Sequence, residues 1–554
     1  MTLASEILAR RMGLPQAQTH DVVCERDLRM RMDDGAVLLA DRYVARAAAG
    51  DPQPTVLVRS PYGRRPALGL IFGRLLAERG LQVVVQSVRG TFGSEGTFSP
   101  FDERADGLTT LRWIGEQPWH SGQVGMIGPS YLGLVQWAVA PDAGDELAAL
   151  AIQVSASQFH GQTYAGGSLS LETVASWLVL VANQERRFAP LAMLRAVRAL
   201  PPLLAQLPLG EVDAAATGAE VAWFREAIAS AGREDAYWVA RDFAAGVAGV
   251  TAPVQLIGGW YDIFLPWMLE DYAALEAAGR DPQLIVGPWT HTAPDMTIRG
   301  LREGLGWLRA HLLDDRRMVS DAGVRVFVTG EKTGGGWRRL SAWPPPESGE
   351  GRLWLAGGGR LEPGPAAAAG ADRYRYDPTD PTPSLGGPVL LTRAPVVDNR
   401  PLETRSDVLT FTTRPLVETL EAIGRVRVEL FARTSSPHVD FFARVCDVHP
   451  DGASWNVCDA LLRVAPERIE RAAEGAIRVA FDLWPMGHRF AAGHRVRLQV
   501  SSGAHPRYAR NGGTGEDPFV ATALHAVDVE LLHGGEHPSL LVLPAAAAIR
   551  VHEG

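Results

Sequence analysis

The sequence predicts an α/β sheet protein with an inserted helical domain and a C-terminal all-β domain. Residues 1–157 place short, continuously apolar runs between amphipathic helical stretches, the pattern of a parallel sheet buried on both faces. Residues 158–248 are rich in Ala and Leu and carry no strand-like run. Beyond residue 345 the hydrophobic period becomes two. A chain of 554 residues exceeds what one hydrophobic core organises, so several domains are expected.

Arg29–Met32, the turn Asp33-Asp34-Gly35 and Val37–Tyr43 form a predicted β-hairpin. Strands are expected at Thr55–Arg59, Gln82–Gln86 and Val124–Ile127, helices near Ala67–Arg79 and Asp106–Gln117, and a Gly-rich loop from Gly90 to Gly96. In the insertion, Gly166-Gly167 and Pro201-Pro202 break long helical patterns. Strands resume at Pro253–Gly258 and Gln283–Gly287, so residues 249–345 are read as completing the sheet. Residues 344–370, with Pro344-Pro345-Pro346, Gly357-Gly358-Gly359 and four consecutive alanines, read as a weakly ordered loop. Arg425–Leu430 and Arg495–Val500 then alternate strictly, with turns such as His449-Pro450-Asp451-Gly452 between such runs. Residues 346–554 are therefore expected to form a β-sandwich of jelly-roll type.

Composition narrows the function. Apolar residues make up 46% and charged residues 21%, which is ordinary for a globular chain and unlike a disordered one. A net charge of −9 with no basic block argues against nucleic-acid or anionic-membrane partners. No apolar run reaches the ~18 residues needed to cross a bilayer. Met1–Leu14 carries its arginines after the short apolar stretch, unlike a signal peptide, so a cytoplasmic location is expected. Cys24, Cys446 and Cys458 form no CxxC pattern. The last two could pair across a turn, although two facing cysteines are more often reduced core residues.

The sharpest feature is Val124-Gly125-Met126-Ile127-Gly128-Pro129-Ser130-Tyr131-Leu132-Gly133, an apolar strand running into a helix. A serine on such a turn exposes its hydroxyl above the sheet, with the next amide, Tyr131 N–H, at a helix N-terminus. Leu132 stands where Gly-x-Ser-x-Gly has its second glycine, and the glycine comes one later. An ordinary βα turn is the plain alternative for this segment alone. A serine hydroxyl needs a base oriented by an acid, and in an α/β-hydrolase these follow in the order Ser, Asp or Glu, His at strand ends. Asp262 lies just past one late strand and His291 just past the next. Singly, Asp262 could be a helix N-cap and His291 a solvated loop residue; together and in order they point to a triad. In Arg59-Ser60-Pro61-Tyr62-Gly63 there is no glycine run for a second oxyanion donor. Tyr62 could offer its O–H, though an exposed loop tyrosine is commoner.

Together these residues resemble the cocaine esterase family, related to X-Pro dipeptidyl peptidases and α-amino acid ester hydrolases. Matching segments include Arg59-Ser60-Pro61-Tyr62, Gly93-Ser94-Glu95-Gly96, Gly128–Gly133, Gly259–Asp262, Gly287–His291, Gly493-His494-Arg495 and Pro506-Arg507-Tyr508. The resemblance implies an α/β-hydrolase core, a helical cap over the site and a C-terminal jelly roll. It also implies Ser130 as nucleophile, His291 as base, Asp262 as orienter, and Tyr62 O–H with Tyr131 N–H as the oxyanion hole. Aromatics lining the acyl pocket would include Trp177 and Phe264, with plain core packing an equal alternative for both.

Two positions depart from the family. Ser87 stands where an aspartate is usual, which removes a carboxylate near Arg89. After Asp262 come Ile263-Phe264-Leu265, where α-amino acid ester hydrolases place acids for a substrate ammonium. A buried ammonium needs a carboxylate partner, so an apolar acyl group fits better. The reading is a carboxylic ester hydrolase acting through an acyl-enzyme on a small-molecule ester or amide, with no cofactor and no metal. An amidase or X-Pro-type aminopeptidase is the enzymatic alternative, and a noncatalytic ligand-binding protein with a vestigial triad is the other. Neither the physiological substrate nor the oligomeric state, a homodimer included, is legible.

Overall fold

The computed structural model describes residues 2–319, 323–330, 335–366, 368–391, 394–464, 466–546 and 548–552. Ten strands form the N-terminal sheet: β1 (Val22–Arg31), β2 (Val37–Ala45), β3 (Gln53–Ser60), β4 (Gln82–Ser87), β5 (His120–Pro129), β6 (Leu147–Gln153), β7 (Val254–Tyr261), β8 (Gln283–Thr290), β9 (Val324–Gly330) and β10 (Gly336–Leu340). Their spatial order is β1-β2-β4-β3-β5-β6-β7-β8-β9-β10. Pairing is parallel from β4 to β9 and antiparallel at both edges. Every residue of β4 and of β7 is buried, as helix-covered parallel strands require. The covering helices include Arg104–Gly115, Tyr131–Trp137, Leu265–Ala277 and Pro294–Leu312.

The expected helix over 67–79 is a π-helical turn, Gly69–Arg74, running into Leu75–Ala77. β6 is not among the strands expected from the sequence. Its residues, Leu-Ala-Ala-Leu-Ala-Ile-Gln, are mostly strong helix formers. Parallel pairing with β5 on one side and β7 on the other overrides that preference.

Between β6 and β7 the described residues form helices and turns only, the longest helices being Leu171–Asn183 and Ala189–Leu204. After β10 the chain is β-rich. Contrary to the loop expected at 344–370, Glu350–Ala356 and Arg360–Glu362 form a hairpin whose Leu353, Leu355 and Leu361 are buried. The far C-terminal strand Leu540–Pro544 pairs with Glu350–Trp354 and completes its ladder, a partner no local reading of the glycines and prolines reveals. Of the four alanines at 366–369, Ala367 lies outside the described residues.

Leu420–Thr434 pairs with Ile477–Phe490, and Asp440–Val448 lies between Ser454–Arg463 and Arg495–Ser501, all antiparallel. Ile477–Phe490 also runs parallel to the end of β9 at Thr329 and Gly330, which joins the β-rich part to the α/β sheet. Cys446 and Cys458 are buried and free. Among the described residues no helix is long and apolar enough to cross a membrane.

Candidate active site

Ser130 sits between the end of β5 and the helix Tyr131–Trp137, with φ 59° and ψ −123°. A non-glycine residue in this region costs on the order of 1–3 kcal/mol and persists only where its surroundings hold it. Here they do: Ser130 N–H donates to the Gln153 carbonyl on β6 at 2.8 Å, and its own carbonyl accepts from Gly133 N–H at 2.7 Å. The shifted glycine has a physical reason. A Cβ on Gly133 would lie 2.4 Å from Ser155 Cβ, so the glycine lets the helix approach the chain beyond β6. Gly128 in turn leaves room for Leu132, whose Cβ would be 2.4 Å from a Cβ there.

Asp262 and His291 each stand one residue past a parallel strand, β7 and β8, at the same sheet edge as Ser130. His291 Nε2 is 3.0 Å from Ser130 Oγ. His291 Nδ1 is 2.6 Å from Asp262 Oδ1. The second oxygen, Oδ2, accepts from Phe264 N–H at 3.1 Å. Both Asp262 and His291 are buried.

The loop is also held from the other domain, because the indole N–H of Trp484 donates to the Asp262 carbonyl at 3.0 Å. Trp484 is a site residue the sequence reading missed. It lies in an apolar strand 222 positions away, with no local signal to separate it from core packing.

Tyr62 is half-buried beside this cluster, and its hydroxyl accepts from Trp177 Nε1–H at 2.9 Å. Burial pushes the Tyr62 phenol up to about 12, against hydrogen bonds from Trp177 and Ser130. The phenol is therefore protonated at neutral pH and has a proton to donate. Tyr131 is the first residue of its helix, so its N–H has no acceptor within that helix. Its ring is pinned from below: the hydroxyl donates to Glu103 Oε1 at 2.6 Å and accepts from Phe101 N–H at 3.0 Å. Glu103 is held in turn by Arg59 at 2.9 Å, an ion pair buried on both sides.

A cavity opens from Ser130 between the sheet and the inserted helices, lined by Tyr62, Trp177 and Phe264 and by four aromatics the sequence reading did not name. These are Phe101, Phe159, Trp223 and Trp238. Trp177 stacks on Phe101 at 5.5 Å between centroids and meets Trp223 edge-on at 5.0 Å. Phe264 lies 4.2 Å from Phe159 and 5.6 Å from the His291 ring. Among the described residues lining the cavity none is charged.

The departure at Ser87 is accommodated without a carboxylate there. Arg89 takes its partners from Asp34 at 2.7 Å and Asp106 at 2.6 Å. Ser87 Oγ accepts from Arg64 Nη1 at 3.1 Å, and Arg64 also pairs with Asp27 and Asp41.

A serine at a strand-to-helix turn of an α/β sheet, with a histidine and an aspartate in line behind it, is an arrangement that serine hydrolases use. Residues 34–293 match the family described as X-Pro dipeptidyl-peptidase (S15 family), and residues 319–542 match the X-Pro dipeptidyl-peptidase C-terminal non-catalytic domain. The chain is 32% identical to the cocaine esterase of Rhodococcus sp. (strain MB1 Bresler), over 93% of this chain and 97% of that one. It belongs to the cocaine esterase and X-Pro dipeptidyl-peptidase-like family of hydrolases. Among solved structures, an aminopeptidase from a marine sediment Thaumarchaeota archaeon superposes with a TM-score of 0.79 at 22% identity, covering 96% of this chain and 98% of that one. An α-amino acid ester hydrolase superposes with a TM-score of 0.78 at 24% identity, with the same coverage of each chain. At these identities the two structures bear on the fold alone.

Proposed function

We propose that this chain is a carboxylic ester hydrolase that works through a covalent acyl-enzyme, with Ser130, His291 and Asp262 as its triad. The observation that carries the reading is the continuous chain from Ser130 Oγ through His291 to Asp262, at 3.0 and 2.6 Å. His291 Nε2 takes the Ser130 proton as Oγ attacks the acyl carbonyl, and returns it to the leaving alcohol as the tetrahedral intermediate collapses. Water then attacks the acyl-enzyme by the same route, with His291 again as base. Asp262 holds Nδ1–H, and so keeps the Nε2 lone pair toward Ser130. Tyr62 O–H and Tyr131 N–H are the donors for the developing oxyanion. The helical segment 158–248 serves as a cap that closes the acyl pocket, and residues 346–554 are a jelly roll whose part in the site is Trp484.

The uncharged aromatic cavity favours an apolar acyl group over a free amine, which would need a carboxylate partner once buried. A panel of p-nitrophenyl esters and amino-terminal p-nitroanilides tests this. Apolar-acyl esters, benzoate included, are expected to turn over while anilides with a free α-amine stay inert. Preferential cleavage of the anilides would replace the esterase reading with the aminopeptidase one. Failure of the protein to label with a fluorophosphonate would leave a binding protein instead.

Tyr62→Phe tests the oxyanion assignment. The donor strengthens its bond only as charge develops, so kcat is expected to fall by about 10²–10³ with little change in KM. A near-native kcat would remove Tyr62 from the mechanism and leave its ring as a packing surface for Trp177.

A further inference from the structure

Asp447 and His449 are two positions apart and His488 and His494 six apart, in two separate parts of the β domain that bear no recognised metal motif, and the sequence reading called for no metal. The fold brings them together. Asp447 is the next-to-last residue of the strand Asp440–Val448, His449 opens the turn after it, and His494 immediately precedes the adjacent strand Arg495–Ser501. His488 comes from Ile477–Phe490, where it pairs in register with Thr329 of β9. Asp447 Oδ1 is 2.9 Å from His494 Nδ1, and Oδ2 is 3.2 Å from His488 Nε2 and 3.7 Å from His449 Nε2. The His449 and His494 rings lie 4.3 Å apart. None of the four lines the cavity at Ser130.

His488 Nδ1 lies 2.8 Å from Thr329 Oγ1, which is itself 2.9 Å from the Gly487 carbonyl. Three imidazoles are thus turned on one buried carboxylate.

We propose that Asp447, His449 and His494, with His488 facing the same carboxylate, form a zinc site that staples the β domain at its seam with the α/β sheet. Imidazole nitrogens with one carboxylate oxygen suit zinc, not the hard, all-oxygen cations. The ligand atoms of Asp447, His449 and His494 lie within 4.8 Å of one another. Zinc bonds of about 2.0–2.2 Å reach that set once the half-exposed His449 ring turns inward. Thr329 Oγ1, 2.8 Å from His488 Nδ1, steadies that ring beside the carboxylate.

The test uses untagged, full-length protein treated with EDTA, dialysed and titrated with zinc sulfate by calorimetry, with bound metal counted by elemental analysis. The expected result is one tight zinc per chain, a higher thermal midpoint with zinc than without, and loss of both in His449→Ala. The side chain of His449 is 38% exposed, so that variant is expected to match the wild type in thermal midpoint and ester turnover in EDTA. His449→Gln, which keeps a polar side chain but no imidazole, is the second variant should alanine disturb the turn. No zinc uptake by the wild type, or equal uptake by the His449 variants, would overturn the site. Neither outcome depends on the esterase assignment, because binding and stability are read without substrate.

Discussion

Ser130→Ala is expected to lower kcat by about 10⁶-fold, because without the nucleophile only binding and the oxyanion donors remain. The fold is expected to survive unchanged. Alanine meets the same positive φ as serine, so the strain at this turn is neither relieved nor increased. The backbone bonds of residue 130 to Gln153 and Gly133 do not involve the side chain. Thermal unfolding beside steady-state kinetics checks both halves. Retained turnover with continued fluorophosphonate labelling would place the nucleophile elsewhere.

Loss of the base is expected to be nearly as severe, since no second imidazole lies against Ser130 among the described residues lining the cavity. His291→Ala therefore approaches the Ser130 variant in kcat. Asp262→Asn is expected to be milder, with a loss of about 10⁴. The local hydrogen bonds say why an isosteric change does such damage. One carboxylate oxygen accepts from Phe264 N–H and the other faces His291 Nδ1. In asparagine the amide oxygen is the group able to keep the Phe264 bond, which turns the NH₂ toward Nδ1. The imidazole then carries its proton on Nε2 and cannot accept one from Ser130.

An undamaged Asp262→Asn would contradict the triad.

That Ser130, Asp262 and His291 follow three apolar strands was legible in the sequence alone, although the strands run two or three residues past the ends expected at Ile127, Gly258 and Gly287, to Pro129, Tyr261 and Thr290. Parallel strands in an α/β sheet share their C-terminal ends, which puts the three residues at one sheet edge. That information is local: strand period, turn residues and chain order suffice to state it. The same local grammar marks the turn at His449-Pro450-Asp451-Gly452, which joins two paired strands. It fails where long-range pairing outweighs local preference. Helix-forming Leu147–Gln153 becomes a strand because β5 and β7 flank it, and the glycine-rich stretch after Pro346 becomes a hairpin because Leu540–Pro544 completes its ladder.

Side-chain partners were decided only by tertiary structure. The aromatic wall comes from β-strand ends, loops and inserted helices, and nothing in the spacing of Phe101, Phe159, Trp223 and Trp238 sets them apart from core residues. Trp484 reaches Asp262 across the domain boundary, and Asp447 meets the imidazoles of His488 and His494 at two other strands. A period of two tells which face a strand buries, but not which strand will lie against it. Contacts between distant segments depend on that second choice, so they exist only once the sheets have packed.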